Sequence, residues 1–212
     1  MKKIILLTFL CLASVVNILA QAEDITKDEY YRQLKTAEAK GEEVSRRIIA
    51  QVENFRKEKL HSSEEFIYKY LIPDRSHYLH ISKSAEVTKR SEVIQIGETY
   101  YCRTDNRKWK KSKFWCGEIV LDSVQRRINT KYTLENTTLD NQNLKLYSEY
   151  LFSEVNREAV GKRQHCFWLN EAGLLVRQEF VKGLLDSAGI SSKRTEIYEY
   201  NPQDLKIEAP IK

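Results

Sequence analysis

Apolar residues recur every three or four positions in the first part of the chain. The recurrence follows a capping box, with Thr26 as the N-cap and Glu29 reaching back to its amide. The apolar positions are Tyr30, Leu34, Ala37, Val44, Ile48, Val52 and Phe55. This spacing predicts an amphipathic helix with one buried stripe, and Gly41 is the position at which it can divide into two shorter helices.

From about Ser62 the period of the pattern changes from the helical one to two, which predicts β-strands. The alternating segments are Phe66–Leu71, Tyr78–Ile81, Glu92–Ile96, Thr99–Cys102, Leu144–Val155, Gln164–Leu169, Leu174–Val181 and Thr195–Tyr200. Several gaps are too short for parallel crossovers, so the pattern indicates an antiparallel meander. No internal repeat and no linker interrupts it, which predicts a single α+β domain over residues 23–212.

Several of the predicted strands carry apolar residues on both faces. In one strand Leu144, Leu146, Tyr150 and Phe152 alternate with Tyr147 and Leu151. A half-exposed sheet would alternate apolar with polar residues, and one helix cannot cover both faces of so large a sheet. Two interpretations remain open: the sheet curls around a closed, packed core, or its interior holds a hydrophobic ligand.

The N-terminus has the pattern of a secretory signal peptide. Lys2 and Lys3 precede an apolar run from Ile4 to Ile18, and the small residues of Ala20-Gln21-Ala22 follow. This order predicts cleavage after Ala22, so that residues 1–22 are the signal and the protein is periplasmic or secreted. The alternative is an uncleaved membrane anchor, although the run is short for a membrane span.

Composition and motifs argue against several classes of function. The 35 Lys and Arg residues exceed the 30 Asp and Glu residues only slightly, which is too small an excess to indicate a nucleic-acid partner. The sequence has no nucleophile elbow, no phosphate-binding loop and no zinc-protease motif. His77 and His80 belong to a predicted strand, where their side chains point to opposite faces. We therefore expect no enzyme activity, no metal site and no cofactor.

Three cysteines follow the signal, namely Cys102, Cys116 and Cys166. In an oxidising compartment two of them should form a disulfide. The short segment between Cys102 and Cys116 makes their meeting more probable than a meeting with Cys166. Closing so short a loop would stabilise the fold by about 3 kcal/mol.

The same segment contains a basic patch with interleaved aromatic residues. We expect its core to be Arg107, Lys108, Trp109, Lys110 and Lys111, with Lys113, Phe114 and Trp115 following. One interpretation is a solvated hairpin tip with Trp109 tucked against the sheet. The other is a surface that meets anionic lipid head groups.

The order of motifs resembles that of LolA-like proteins. The residues that carry the resemblance are Ile94–Tyr101 (IQIGETYY), Asn106–Lys111 (NRKWKK), Phe167–Glu179 (FWLNEAGLLVRQE) and Tyr198–Pro210. The superfamily includes periplasmic lipoprotein carriers, glycolipid-binding lipoproteins and sensor domains of anti-sigma regulators. The resemblance implies a strongly curved antiparallel sheet, like an unclosed barrel, with helices plugging a concave side that often receives acyl chains. It brings no catalytic residues.

These observations together predict a monomeric, non-enzymatic binding protein that holds a lipid or another hydrophobic ligand. The expected cavity lining is Phe66, Tyr68, Tyr70, Leu144, Leu146, Tyr150, Phe152, Leu174, Val176 and Phe180, and the expected lid is Leu34, Val44 and Ile48. The alternative function is that of an envelope sensor or interaction domain, with a closed core and a protein partner.

Overall fold

The computed structural model describes residues 22–56, 59–84, 87–116, 128–155, 158–184 and 190–211. In these ranges the chain forms one α-helix, α1 (Lys27–Glu42), and twelve strands. The strands are β1 (Glu23–Asp24), β2 (Arg46–Arg56), β3 (Lys59–Leu71), β4 (Arg75–Ser84), β5 (Thr88–Ile96), β6 (Thr99–Thr104), β7 (Lys110–Ser112), β8 (Ile128–Leu139), β9 (Gln142–Val155), β10 (Glu158–Leu169), β11 (Leu175–Leu184) and β12 (Ile190–Tyr200).

Helix α1 begins where the capping box predicts and ends earlier than the apolar stripe predicts. The Thr26 hydroxyl accepts a hydrogen bond from the backbone N–H of Glu29 at 3.1 Å. The helix stops at Glu42, and the chain from Arg46 onward is strand β2. The prediction that the helix continues to Phe55 is therefore wrong. Ile48, Ala50 and Val52 fit a period of two as well as a helical spacing, and strand pairing on both sides of β2 decides between them.

The strands form a single antiparallel sheet in the order β1-β8-β9-β10-β11-β12-β2-β3-β4-β5-β6-β7. Strand β12 lies between β11 and β2, so it joins the C-terminal strands to the N-terminal ones. Among the described residues β1 and β7 are the two free edges, and the sheet does not close. The predicted fold class, an unclosed antiparallel sheet with an N-terminal helix, is confirmed.

The main core lies between α1 and strands β8 to β11. Tyr30 and Phe167 are fully buried there, with ring centroids 5.0 Å apart, and Tyr147 stacks on Phe167 at 4.8 Å. The hydroxyl of Tyr30 donates a hydrogen bond to the backbone oxygen of His165 at 3.1 Å. Leu34, Leu169 and the other members of this cluster fill the space around these rings. The helix thus covers one part of one face of the sheet.

A second, smaller cluster lies on the opposite face, at β5 and β6. Ile94 and Tyr101 pack there against Ile207 of the C-terminal segment, together with Trp109. This segment explains why β5 carries apolar residues on both faces: Ile94 is covered by the C-terminal residues, whereas Val93 points the other way and is 2% exposed. No helix in the described ranges is both long and apolar enough to cross a membrane.

Candidate ligand-binding groove

A groove of about 800 Å³ opens on the face of the sheet that carries α1. It lies beside the helix, over β11, β12, β2, β3, β4 and β5. Phe180 links the two regions: its ring lines the groove and stacks at 4.1 Å on His165, which in turn contacts Tyr30 of the helix. The helix therefore covers one half of this face and leaves the other half open.

Six of the sixteen residues that line the groove are Phe, Tyr or Trp, and strand register explains why these rings converge. Phe66, Tyr68 and Tyr70 are alternate residues of β3, so they project from one face. On β4, Tyr78 is paired with Tyr68, and their ring centroids are 5.2 Å apart. His80 is paired with Phe66 and stacks on it at 4.3 Å. The rings lining the groove are those of Phe66, Tyr68, Tyr70, Tyr78, Trp115 and Phe180.

A small residue in β2 allows the side chains on either side of it to converge. Ala50 is paired with Phe66 on one side and with Glu196 on the other, and it is fully buried. Above it, the guanidinium carbon of Arg194 lies 5.9 Å from the Phe66 ring centroid, although β2 separates their strands. The Arg194 side chain can cross β2 in this way because Ala50, the residue between the two strands, carries only a methyl group. The two side chains therefore meet across the floor of the groove.

The groove also has a polar end, formed by β12. Arg194 donates to Glu196 at 2.5 Å, and the hydroxyl of Tyr198 donates to the other carboxylate oxygen at 2.6 Å. Burial acts to lower the pKa of Arg194, but the neighbouring Glu196 carboxylate outweighs it and the pKa is raised, so the side chain stays charged. Within the described part of the chain the buried Nε of Arg194 has no hydrogen-bond partner. The polar end thus combines a neutralised ion pair with one unused donor.

The predicted disulfide between Cys102 and Cys116 is confirmed, with the two Cα atoms 6.1 Å apart. Cys102 is paired with Val93, and Val93 with Tyr78, so all three residues share the face of the groove. The disulfide consequently holds residues Lys113–Cys116, which we call the strap, over this face. Trp115 of the strap lies 5.9 Å from the ring of Tyr78 and walls one end of the groove. Such a bond fits an oxidising compartment.

The structure brings together four of the ten predicted lining residues, namely Phe66, Tyr68, Tyr70 and Phe180. On β9, Tyr147 and Glu149 point toward the helix, so Leu146 and Tyr150 lie on the opposite face. The expectation that these two residues share the lining is therefore wrong, because a single concave face cannot take both sets of alternating residues.

The other predicted lining residues lie away from the groove. Leu144 borders a separate hollow of about 550 Å³ near Gln33 and Leu169. Leu174 lies in the turn before β11, where its N–H donates to the Asn170 side chain at 2.9 Å, and Val176 is half-buried at the start of β11. The side chain of Phe152 lies outside the described residues.

The predicted lid does not form over the groove. Leu34 is buried in the main core beneath the helix. Val44 follows the end of the helix, and Ile48 belongs to β2, where it is paired with Tyr68. The lid was expected because the predicted helix included Val44 and Ile48. The helix ends at Glu42, so these two residues are not helical.

The predicted basic patch divides into a partly buried ring and exposed cations. Trp109 packs against the second cluster, with the guanidinium carbon of Arg103 4.6 Å from its ring centroid. The exposed cations are Arg107, Lys108, Lys110 and Lys111, and the Nζ of Lys111 lies 5.8 Å from the ring centroid of Tyr101. The position of Trp109 agrees with the interpretation in which its ring packs against the sheet.

Three groups of the groove were missed in the sequence: Tyr78, Trp115 and the Arg194–Glu196 pair. Tyr78 belongs to a predicted strand and could have been assigned to the lining once β3 and β4 were paired. The position of Trp115 follows from the disulfide only when the register of Cys102 is known. Arg194 and Glu196 gave no signal, because charged residues on a strand normally indicate a solvated face.

Comparisons with known proteins give a likeness among solved structures only. No family model and no curated protein sequence matches the chain. Among solved structures, the chain is similar to a LolA superfamily protein, NE2245 from Nitrosomonas europaea, over 84% of this chain and 94% of that one. The sequence identity is 7% and the TM-score is 0.28. At these values the likeness says nothing about function, which has to be inferred from the side chains of the groove.

Proposed function

We propose that this protein is an exported, non-enzymatic binding protein that holds a lipid or another hydrophobic ligand in the aromatic groove. One observation carries the proposal: six aromatic rings surround about 800 Å³ of open space on a face whose other half is already filled by the helix core. Ligand sites are typically concave and of this size, and they combine apolar and aromatic walls with polar groups that orient the ligand.

The polar end of the groove makes an amphiphilic ligand the best fit. An acyl or other apolar chain would lie against Phe66, Tyr68 and Tyr78. A polar head group would lie near the Arg194–Glu196 pair, at the end of the groove that β12 forms. Such an arrangement buries the apolar part of the ligand and keeps its polar part beside groups that can form hydrogen bonds with it.

A titration with fatty acids of increasing length tests this function. Each additional buried methylene contributes about 0.8 kcal/mol, so affinity should rise with chain length until the groove is full. Intrinsic tryptophan fluorescence is a suitable signal, because Trp115 forms part of the wall. Absence of binding at every length would overturn the proposal and favour the alternative, a sensor or interaction domain with a protein partner.

A pair of tyrosine variants makes the test specific to the groove. Tyr68→Ser removes a ring from the groove wall and should weaken binding by at least tenfold. Tyr150→Ser removes a ring from the opposite face of the sheet, where its side chain is 36% exposed, and should leave binding unchanged. Equal losses in the two variants would place the ligand elsewhere.

A further inference from the structure

The strap, Lys113–Cys116, presents apolar rings to solvent beside the groove. The side chain of Phe114 is 79% exposed, the largest value among the exposed large apolar side chains of the described residues, and its neighbour Trp115 is 44% exposed. The disulfide fixes this segment to β6, so the two rings are held at the surface. Exposing adjacent large rings is costly unless something covers them, and such patches commonly mark interaction sites.

Five exposed cations lie close to these rings in the sequence, namely Arg107, Lys108, Lys110, Lys111 and Lys113. Lys110 and Lys111 belong to β7, which is paired with β6, and the Nζ of Lys111 lies 5.8 Å from the ring centroid of Tyr101. Within the described part of the chain none of the five is paired with a carboxylate, whereas Arg90 and Arg103 nearby are both paired with Glu92. Asp105, the acidic residue closest in sequence, accepts a hydrogen bond from the backbone N–H of Arg90 at 2.9 Å. The edge of the sheet formed by β6, β7 and the strap is therefore positively charged.

We infer that this edge docks on the surface of an anionic lipid membrane, with Phe114 inserted at the level of the head groups. The combination of exposed aromatic insertion with clustered lysines is the one that binds anionic bilayers, since the apolar and electrostatic contributions add. The location supports the same partner: Trp115 belongs to the strap and also walls the groove. A chain leaving the bilayer at Phe114 would enter the groove next to Trp115.

A single-stranded nucleic acid is the competing partner for a basic surface with aromatic rings. Proteins that bind single strands stack successive bases on rings that lie along a basic channel. Here the groove is not a basic channel, because its two carboxylates, Glu64 and Glu196, balance its two cations. Trp109 packs against the second cluster, on the opposite face. The observations favour the membrane.

Vesicle co-sedimentation of the full mature chain, with its disulfide intact, tests the inference. We expect binding to vesicles that contain phosphatidylglycerol, little binding to vesicles of pure phosphatidylcholine, and loss of binding as salt is raised. A lysine near an anionic surface contributes about fivefold in affinity. Lys110→Gln with Lys113→Gln should therefore weaken binding by about 25-fold.

A second test variant removes the exposed ring: Phe114→Ser should weaken vesicle binding by tenfold or more. Its matched control is Leu60→Ser, at a side chain on β3 that is 58% exposed, and this change should leave vesicle binding unaltered. The control for the double lysine variant is Lys145→Gln with Lys206→Gln. It removes two exposed lysines elsewhere on the protein and should change vesicle binding only slightly. The exposed positions make all four variants safe for folding, which their unchanged thermal unfolding would verify.

Three results would overturn the inference: equal binding to both kinds of vesicle, equal losses in the Phe114 and Leu60 variants, or tighter binding to a single-stranded oligonucleotide than to anionic vesicles. The assay needs no ligand in the groove. Vesicle binding without fatty-acid binding would leave the docking surface standing and reject only the proposed function.

Discussion

Glu92 is the residue whose surroundings make the clearest prediction about pH. Its carboxylate is 6% exposed and accepts hydrogen bonds from His77 at 2.8 Å and Arg103 at 2.6 Å. Burial alone would raise the pKa of this carboxyl, but the two donors outweigh burial and lower the pKa from 4.5 to about 2. Because the folded pKa lies below the unfolded one, the stabilisation is present above about pH 5 and is lost as the pH falls toward 2.

Replacing this carboxylate should flatten the acid branch of the stability curve. A shift of this size corresponds to about 3 kcal/mol in the free energy of unfolding. We expect Glu92→Gln to be less stable than the parent at pH 7 and to lose less stability between pH 5 and 2, as measured by urea unfolding at several pH values. Identical pH dependence in the two proteins would contradict this account of Glu92.

Phe167 and Trp168 are adjacent residues that should differ strongly in their contribution to stability. Phe167 is fully buried between Tyr30 and Tyr147, whereas Trp168 lies on the opposite face of β10, half-buried beside Arg177. We expect Phe167→Ala to cost about 3–5 kcal/mol in the free energy of unfolding, because it empties the centre of the core. Trp168→Ala should cost clearly less, and chemical denaturation of both variants would measure the difference.

At the scale of elements, the strap depends on one covalent bond. Cys102→Ser together with Cys116→Ser should lower stability by about 3 kcal/mol, since the bond closes a short loop. It should also weaken ligand binding, because Trp115 would no longer be held against Tyr78. Thermal unfolding and fatty-acid titration measure the two effects.

The control variant is Cys166→Ala, at the free cysteine on the opposite face, and it should leave ligand affinity unchanged. If Cys166→Ala reduced ligand affinity as much as the double variant does, the role of the strap would be contradicted.

Strand β1 contains the first two residues of the predicted mature chain. Glu23 and Asp24 are paired with Leu134 and Thr133 of β8, immediately after the expected cleavage position at Ala22. We expect N-terminal sequencing of exported protein to begin at Glu23. Retention of residues 1–22 would instead indicate an anchored form.

The sequence predicted those elements whose pattern had a single interpretation. The capping box at Thr26 and the antiparallel meander are of this kind, and both are present. The segment from Val44 to Phe55 fitted two periods, so its structure depended on partners that the local pattern does not contain. Its strand neighbours, β12 and β3, lie on either side of it in the sheet, and β12 comes from the far end of the chain.

The site was harder to predict than the fold, because it depends on which face each strand turns inward. A shift of one residue reverses every side chain of a strand. Tyr68 and Tyr150 illustrate this: both alternate with apolar neighbours, yet Tyr68 lines the groove and Tyr150 points away from it. The packing of Tyr147 against Phe167 decides the direction of β9, and that contact joins residues of two different strands.

At the scale of the whole molecule, the order of strands separates two regions of the face that carries the helix. The helix core rests on β8 to β11, and the groove lies mainly on β12 and β2 to β5. Substitutions at Tyr68 or Tyr78 can therefore change the groove without disturbing the Tyr30–Phe167 contact on which the core depends.

The central position of β12 also has a consequence for biosynthesis. Arg46 of β2 is paired with Tyr200 of β12, so the middle of the sheet is the last part that a ribosome can supply. Translation at roughly 5–20 residues per second separates the synthesis of β2 from that of β12 by about 7–30 seconds. A chain exported with its N-terminus first keeps this order of arrival, so β2 has one unsatisfied edge until β12 arrives. An open edge of this length is a template for association with other chains. A chaperone that shields β2 until β12 arrives would therefore raise the yield of folded protein.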